Sequence, residues 1–100
     1  MVKVFISQAM RDKTYEEILA ERDRAKEEVE KIFKDDKVTI IDSFFKDAPH
    51  DAKPLWFLGK SIQLLSTADV AYFVGNWRDY RGCNAENYLC KKYGIKTIEE

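Results

Sequence analysis

Glu86 is the residue in this chain whose setting most needs an explanation. Leu89, Cys90 and Tyr93 follow it at i+3, i+4 and i+7, the spacing of a core-facing helical stripe, so its carboxyl is aimed inward. A buried acid is costly unless it is paired or used in chemistry, as a nucleophile or an acid–base group. Arg78 and Arg81 at the start of the same helix are candidate partners for a salt bridge, and both readings stand at this point. Just ahead runs a loop from Gly75 to Gly82. Trp77 and Tyr80 in it are large aromatics that either stack on a base or cover the sheet edge. Arg81-Gly82 permits a tight turn in which the glycine lets the backbone approach a ligand.

A second group lies near the N-terminus. Ser7 ends an apolar run, and Gln8 to Lys13 has no period and reads as a loop into a helix opened by Thr14. Unpaired N–H groups and the helix dipole make such a start a natural anion site, to which Ser7 adds a hydroxyl and Arg11 and Lys13 add charge. The alternative is an ordinary strand-to-helix turn. The glycine motifs of dinucleotide and NTPase phosphate loops are missing. Cys83 and Cys90 stand seven apart without a CxxC pattern or a nearby histidine, so neither a disulfide nor zinc is expected; they read as reduced, packed thiols of a cytoplasmic protein. The acidic residues do not cluster, so no metal and no cofactor is expected. His50, the single histidine, sits in a loop and is given no role.

The elements that must position these residues alternate. Strands are predicted at Val2 to Ser7, Lys37 to Ile41, Val70 to Val74 and Ile95 to Ile98. Helices run from Thr14, whose capping box with Glu17 opens the first, to about Lys34; from Pro54 to about Thr67; and from about Cys83 to Gly94, its closing glycine. The first buries Ile18, Leu19, Ala25, Val29, Ile32 and Phe33. Such alternation predicts a three-layer, doubly wound α/β fold, flavodoxin-like or Rossmann-like, with a parallel sheet of about four strands in the order 2-1-3-4. Ligands in such sheets bind beyond the carboxyl ends of the strands at the switch point, here between the first and third strands. That is where the Ser7 and Gly75–Gly82 loops meet. Asp69 falls at the opposite end and reads as structural.

One hundred residues make a single domain, 1–100. Seventeen basic residues against eighteen acidic ones leave a net charge of −1, with no basic excess for binding nucleic acid or an anionic membrane. No stretch approaches the ~20 apolar residues of a membrane span, and the N-terminus reads as a strand, not a signal peptide. A chain this small gains from self-association, so a homo-oligomer, a dimer or higher, is expected.

The segments Phe5-Ile6-Ser7-Gln8-Ala9-Met10-Arg11 and Ala68-Asp69-Val70, followed by Asn76 through Glu86, resemble the nucleoside 2-deoxyribosyltransferase superfamily. The likeness is greatest to a small bacterial and phage branch with a similar Trp, Arg-Gly and Glu series. It covers nearly the whole chain in the same order. It implies an N-glycosyl hydrolase or deoxyribosyltransferase acting on a nucleoside or nucleotide, with Glu86 attacking the anomeric carbon. It implies that the Ser7–Arg11 loop, Met10 included, holds the sugar or a 5′-phosphate, and that Trp77 or Tyr80 contacts the base. Relatives carry an aspartate where this chain has Ser61, and Asp79 is the candidate substitute as proton donor. Asp12 also stands where relatives often have glycine. The chain stops soon after the fourth strand, so a wall that longer relatives build from their C-terminus is expected from a neighbouring subunit. Noncatalytic nucleotide binding is the alternative function, and a protein interaction module is the second alternative.

Overall fold

The computed structural model describes residues 1–45 and 47–100. Its elements are β1 (Val2–Ser7), α1 (Tyr15–Ile32), β2 (Val38–Ile40), α2 (Pro54–Leu65), β3 (Val70–Phe73), a 3-10 turn (Trp77–Asp79), α3 (Arg81–Tyr93) and β4 (Lys96–Glu99). The strands form one parallel sheet in the order β2-β1-β3-β4, as the alternating pattern predicts. In register, Val4 stands beside Val70 and Ser7 beside Phe73, so the carboxyl ends of β1 and β3 are level.

Strand alternation divides the core into two layers. Val2, Val4 and Ile6 of β1, with Val70, Tyr72 and Val74, pack against Ala25 and Val29 of α1. Phe5, Ala71 and Phe73 face the other way, onto Leu65 of α2 and Cys83 and Cys90 of α3. Full burial of an aromatic such as Phe73 contributes about 1.5–3 kcal/mol. Tyr72 buries its ring and extends its hydroxyl to the carboxylates of Glu28 (2.6 Å) and Glu100 (2.7 Å). Glu100 also accepts from Arg24 and from the Gly75 N–H, tying the loop after β3 to α1. At the other end of the sheet Asp69 accepts from the Lys3 N–H (2.8 Å) while its own N–H donates to the Lys3 carbonyl, a structural clamp.

The capping box of α1 is present: Thr14 Oγ1 accepts from the Glu17 N–H, and Glu17 accepts from the Thr14 N–H. Gly94 takes the left-handed φ of 73° that ends α3, a conformation side-chain-bearing residues avoid. Several details differ from the sequence pattern. The segment expected to be loop contains a 3-10 turn, and α3 begins at Arg81 rather than Cys83. Gly82 is therefore a first-turn helical residue and not the pivot of a tight turn. Tyr93 is 79% exposed, because α3 presents only Cys83, Glu86 and Cys90 to the core. Leu19 and Ile32 lie toward solvent for the same reason on α1, whose buried stripe is Ile18, Arg22, Ala25 and Val29. Among the described residues no helix is long and apolar enough to cross a membrane.

Candidate functional site

A cleft of about 1640 Å³ opens at the carboxyl ends of β1 and β3. Its floor follows from the pleat. Ser7 shares the face of Phe5, so its hydroxyl points toward α3, where Glu86 stands one turn and a half into the helix. Ser7 Oγ donates to Glu86 Oε1 at 2.7 Å, and the two residues are 1% and 6% exposed. Among the described residues no lysine or arginine pairs with Glu86. Burial pushes its carboxyl above the usual carboxylate range, while the Ser7 and Ser61 hydroxyls, the latter from α2, pull partly back toward the ionised form. A carboxyl held this way can attack an electrophile or exchange a proton.

The two arginines open to Glu86 as partners are engaged or placed elsewhere. Arg78 pairs with Glu99 (3.2 Å) and stacks over the Trp77 ring at 4.3 Å. Arg81 is exposed on the cleft rim. Cys83 lines the cleft beside Ser7; burial raises its thiol, as it raises that of Cys90 to about 11, so both are held as neutral thiols.

Of the residues singled out from the sequence, Ser7, Met10, Arg11, Asp79, Tyr80, Arg81, Gly82 and Glu86 line this one cleft. Trp77 does not. The 3-10 turn folds it back onto Phe73, ring centroids 5.2 Å apart, and it is 5% exposed, so its role is packing. Its Nε1 is buried without a hydrogen-bond partner among the described residues. Lys13 is also removed from the anion group, because it pairs with Glu21 at 2.8 Å. At the start of α1 the capping box occupies the Glu17 N–H, and Glu16 and Glu17 put acidic charge in the first turn, which weakens the pull of this helix end on an anion. By contrast α2 and α3 have no side-chain cap and no acid in their first turns, and both begin at the cleft with Lys53 and Arg81.

Two features escape the sequence pattern. Phe44, Phe45 and Phe57 form an aromatic wall of the cleft. The signal was the Phe44-Phe45 pair inside an otherwise polar connection. The second is Arg22, 8% exposed in the middle of α1. Its Nε donates to Gln8 Oε1 (2.6 Å), its Nη2 donates to Ser43 Oγ, and its guanidinium lies 4.2 Å from the Phe44 ring centroid. Gln8 in turn donates to Glu21. Arg22 thus holds the residue after Ser7 and the start of the aromatic wall on one rigid helix. No family model, curated protein or solved structure matches the chain.

Proposed function

We propose that the chain is an N-glycosyl hydrolase or deoxyribosyltransferase acting on a nucleoside or nucleotide through Glu86. The observation that carries this reading is a buried carboxyl on the floor of a cleft, held by the Ser7 and Ser61 hydroxyls and paired with no cation among the described residues. Such a group suits attack at an anomeric carbon, where positive charge develops in the transition state. Ser7 fixes the carboxylate's orientation, and Tyr80 and the phenylalanine wall offer rings to the base. Arg11, Lys53 and Arg81 make no ion pair among the described residues, and their charge favours a phosphorylated substrate over a bare nucleoside. The resemblance to the nucleoside 2-deoxyribosyltransferase superfamily points the same way.

The test is base release. The protein is incubated with each deoxynucleoside and deoxynucleoside monophosphate, with and without an acceptor base, and products are separated by chromatography. Free or exchanged base, lost in Glu86→Gln, is the expected result; base release that survives Glu86→Gln removes Glu86 from the mechanism. A second reading, binding without cleavage, is favoured by Ser61 beside Glu86 where a proton donor would be useful. A thermal shift with one nucleotide and no product would support it. Self-association belongs to the same proposal: α2 exposes Leu55 (77%), Phe57 (39%) and Ile62 (36%), apolar surface that a second copy would cover. A monomeric mass by light scattering at micromolar concentration would refute that part.

A further inference from the structure

A base joined to a sugar through a neutral glycosidic nitrogen departs as an anion unless it is protonated, and a carboxylic acid kept neutral by burial is the usual donor. The cleft holds no second buried carboxyl among the described residues. Ser7 and Ser61 lie against Glu86, and the other acid lining the cleft, Asp79, is exposed on its rim. Among the described residues Glu86 also has no cationic partner. A buried carboxylate without one is best complemented by a ligand that carries positive charge to it. The cleft's 1640 Å³ exceeds the roughly 300–1000 Å³ of an ordinary small-molecule pocket. Three cations, Arg11, Lys53 and Arg81, and an aromatic wall, Phe44, Phe45 and Phe57, line the same space.

We infer that the substrate is a dinucleotide whose leaving base is already cationic, an N-ribosyl pyridinium of the oxidised nicotinamide dinucleotide type. This rests on the N-glycosyl reading and narrows it. A Glu86 carboxylate oxygen bonds to C1′ as the bond from C1′ to the pyridinium nitrogen breaks. The bonding pair stays on that nitrogen, so nicotinamide leaves neutral and needs no proton. Water then attacks C1′, the ester bond to Glu86 breaks with its pair returning to the carboxylate, and the surplus proton passes to solvent. The sum is dinucleotide plus water giving nicotinamide, ADP-ribose and one proton. The pyrophosphate is matched by the three cations and the adenine by the phenylalanine wall. The dinucleotide is bound here as a substrate, by side chains, and not as a redox cofactor on a glycine loop, a motif the sequence lacks.

The experiment compares oxidised nicotinamide adenine dinucleotide, its reduced form and the four deoxynucleoside monophosphates with the full chain and with Glu86→Gln. The reduced form has nearly the same shape but a neutral dihydropyridine, whose departure would require a proton. Nicotinamide is expected from the oxidised form at least about 100-fold faster than base from any other substrate, the usual worth of a missing general acid. Glu86→Gln is expected to lose release by more than about 1000-fold and to keep the thermal shift given by the oxidised dinucleotide. Base released from deoxynucleotides with the dinucleotide untouched overturns this inference and leaves the broader reading intact. Equal release from oxidised dinucleotide and deoxynucleotides overturns the leaving-group argument. No release from any substrate overturns both. The comparison of oxidised with reduced dinucleotide uses the unaltered chain and decides the matter even if the variant fails to fold.

Discussion

If Glu86 is retained for chemistry and not for the fold, replacing it should make the protein more stable. Glu86→Gln removes a charge that is 6% exposed and has no cationic partner among the described residues. The carboxamide keeps an acceptor for the Ser7 hydroxyl, so the hydrogen bond at 2.7 Å survives. What is lost is the penalty of ionising a buried carboxyl. Burial holds that carboxyl above its ordinary value of 4.5, so the folded chain binds the proton more tightly than the unfolded chain does. Stability from this group is then complete at pH below the unfolded value and is lost as pH rises through the folded one. Relief at pH 8 should be about 1 kcal/mol, typical of a substitution that removes a functional strain. In a chain of 100 residues that moves Tm by roughly 4–8 °C. Thermal unfolding of both proteins at pH 8 and at pH 4 is the assay, with the difference vanishing at pH 4, where both side chains are neutral. A variant less stable at pH 8, or a gain undiminished at pH 4, would mean that Glu86 is structurally paired, and the reasoning about the site would fail with it.

Ser7→Ala deletes a hydrogen bond to a charged group worth about 1.5–3 kcal/mol, so base release should fall roughly 10- to 100-fold and its alkaline-favoured limb should move to higher pH. An unchanged pH profile would deny Ser7 its role. Arg22→Met leaves Gln8 Oε1 and Ser43 without their donor and should cost about 2 kcal/mol or more in denaturant unfolding. Arg22→Lys should recover only part, since one ammonium cannot span both acceptors and stack on Phe44. Trp77→Phe should leave base release within about twofold and stability nearly unchanged, because lost ring area is offset by removing an unpartnered indole N–H; a large loss of activity would return Trp77 to the binding site. The two cysteines should resist an aromatic disulfide reagent at pH 8 in the folded chain and react on unfolding in urea, both being buried thiols with raised titration.

Much of the architecture was legible because it is written in periodicity. The apolar runs of β1 and β3 and the capped start of α1 place strand order and switch point with no tertiary information, and Glu86 announced itself as a charge on an apolar stripe. Details set by tertiary packing were not legible. Trp77 looks like a loop aromatic until a 3-10 turn brings it onto Phe73. Tyr93 fits the helical stripe, but the packing of α3 buries Cys83, Glu86 and Cys90 and leaves Tyr93 exposed. Arg22 reads as one more charge on a solvated face, since only the fold brings Gln8 and Ser43 to it. The phenylalanine wall depends on how the connection after β2 folds over the cleft, which no local period encodes.

The two-residue repeat of β1 has a consequence for folding fidelity. Side chains along a strand alternate between faces, so slipping β1 by one residue would turn Ser7 into the α1 layer and present Ile6 to Glu86. The same slip would bury Lys3 among Ala25 and Val29. A misregistered chain would thus forfeit its core and the β1 hydroxyl that holds Glu86 in a single step. Activity in a refolding assay would therefore count correctly threaded molecules, and a compact but slipped population would be silent in it.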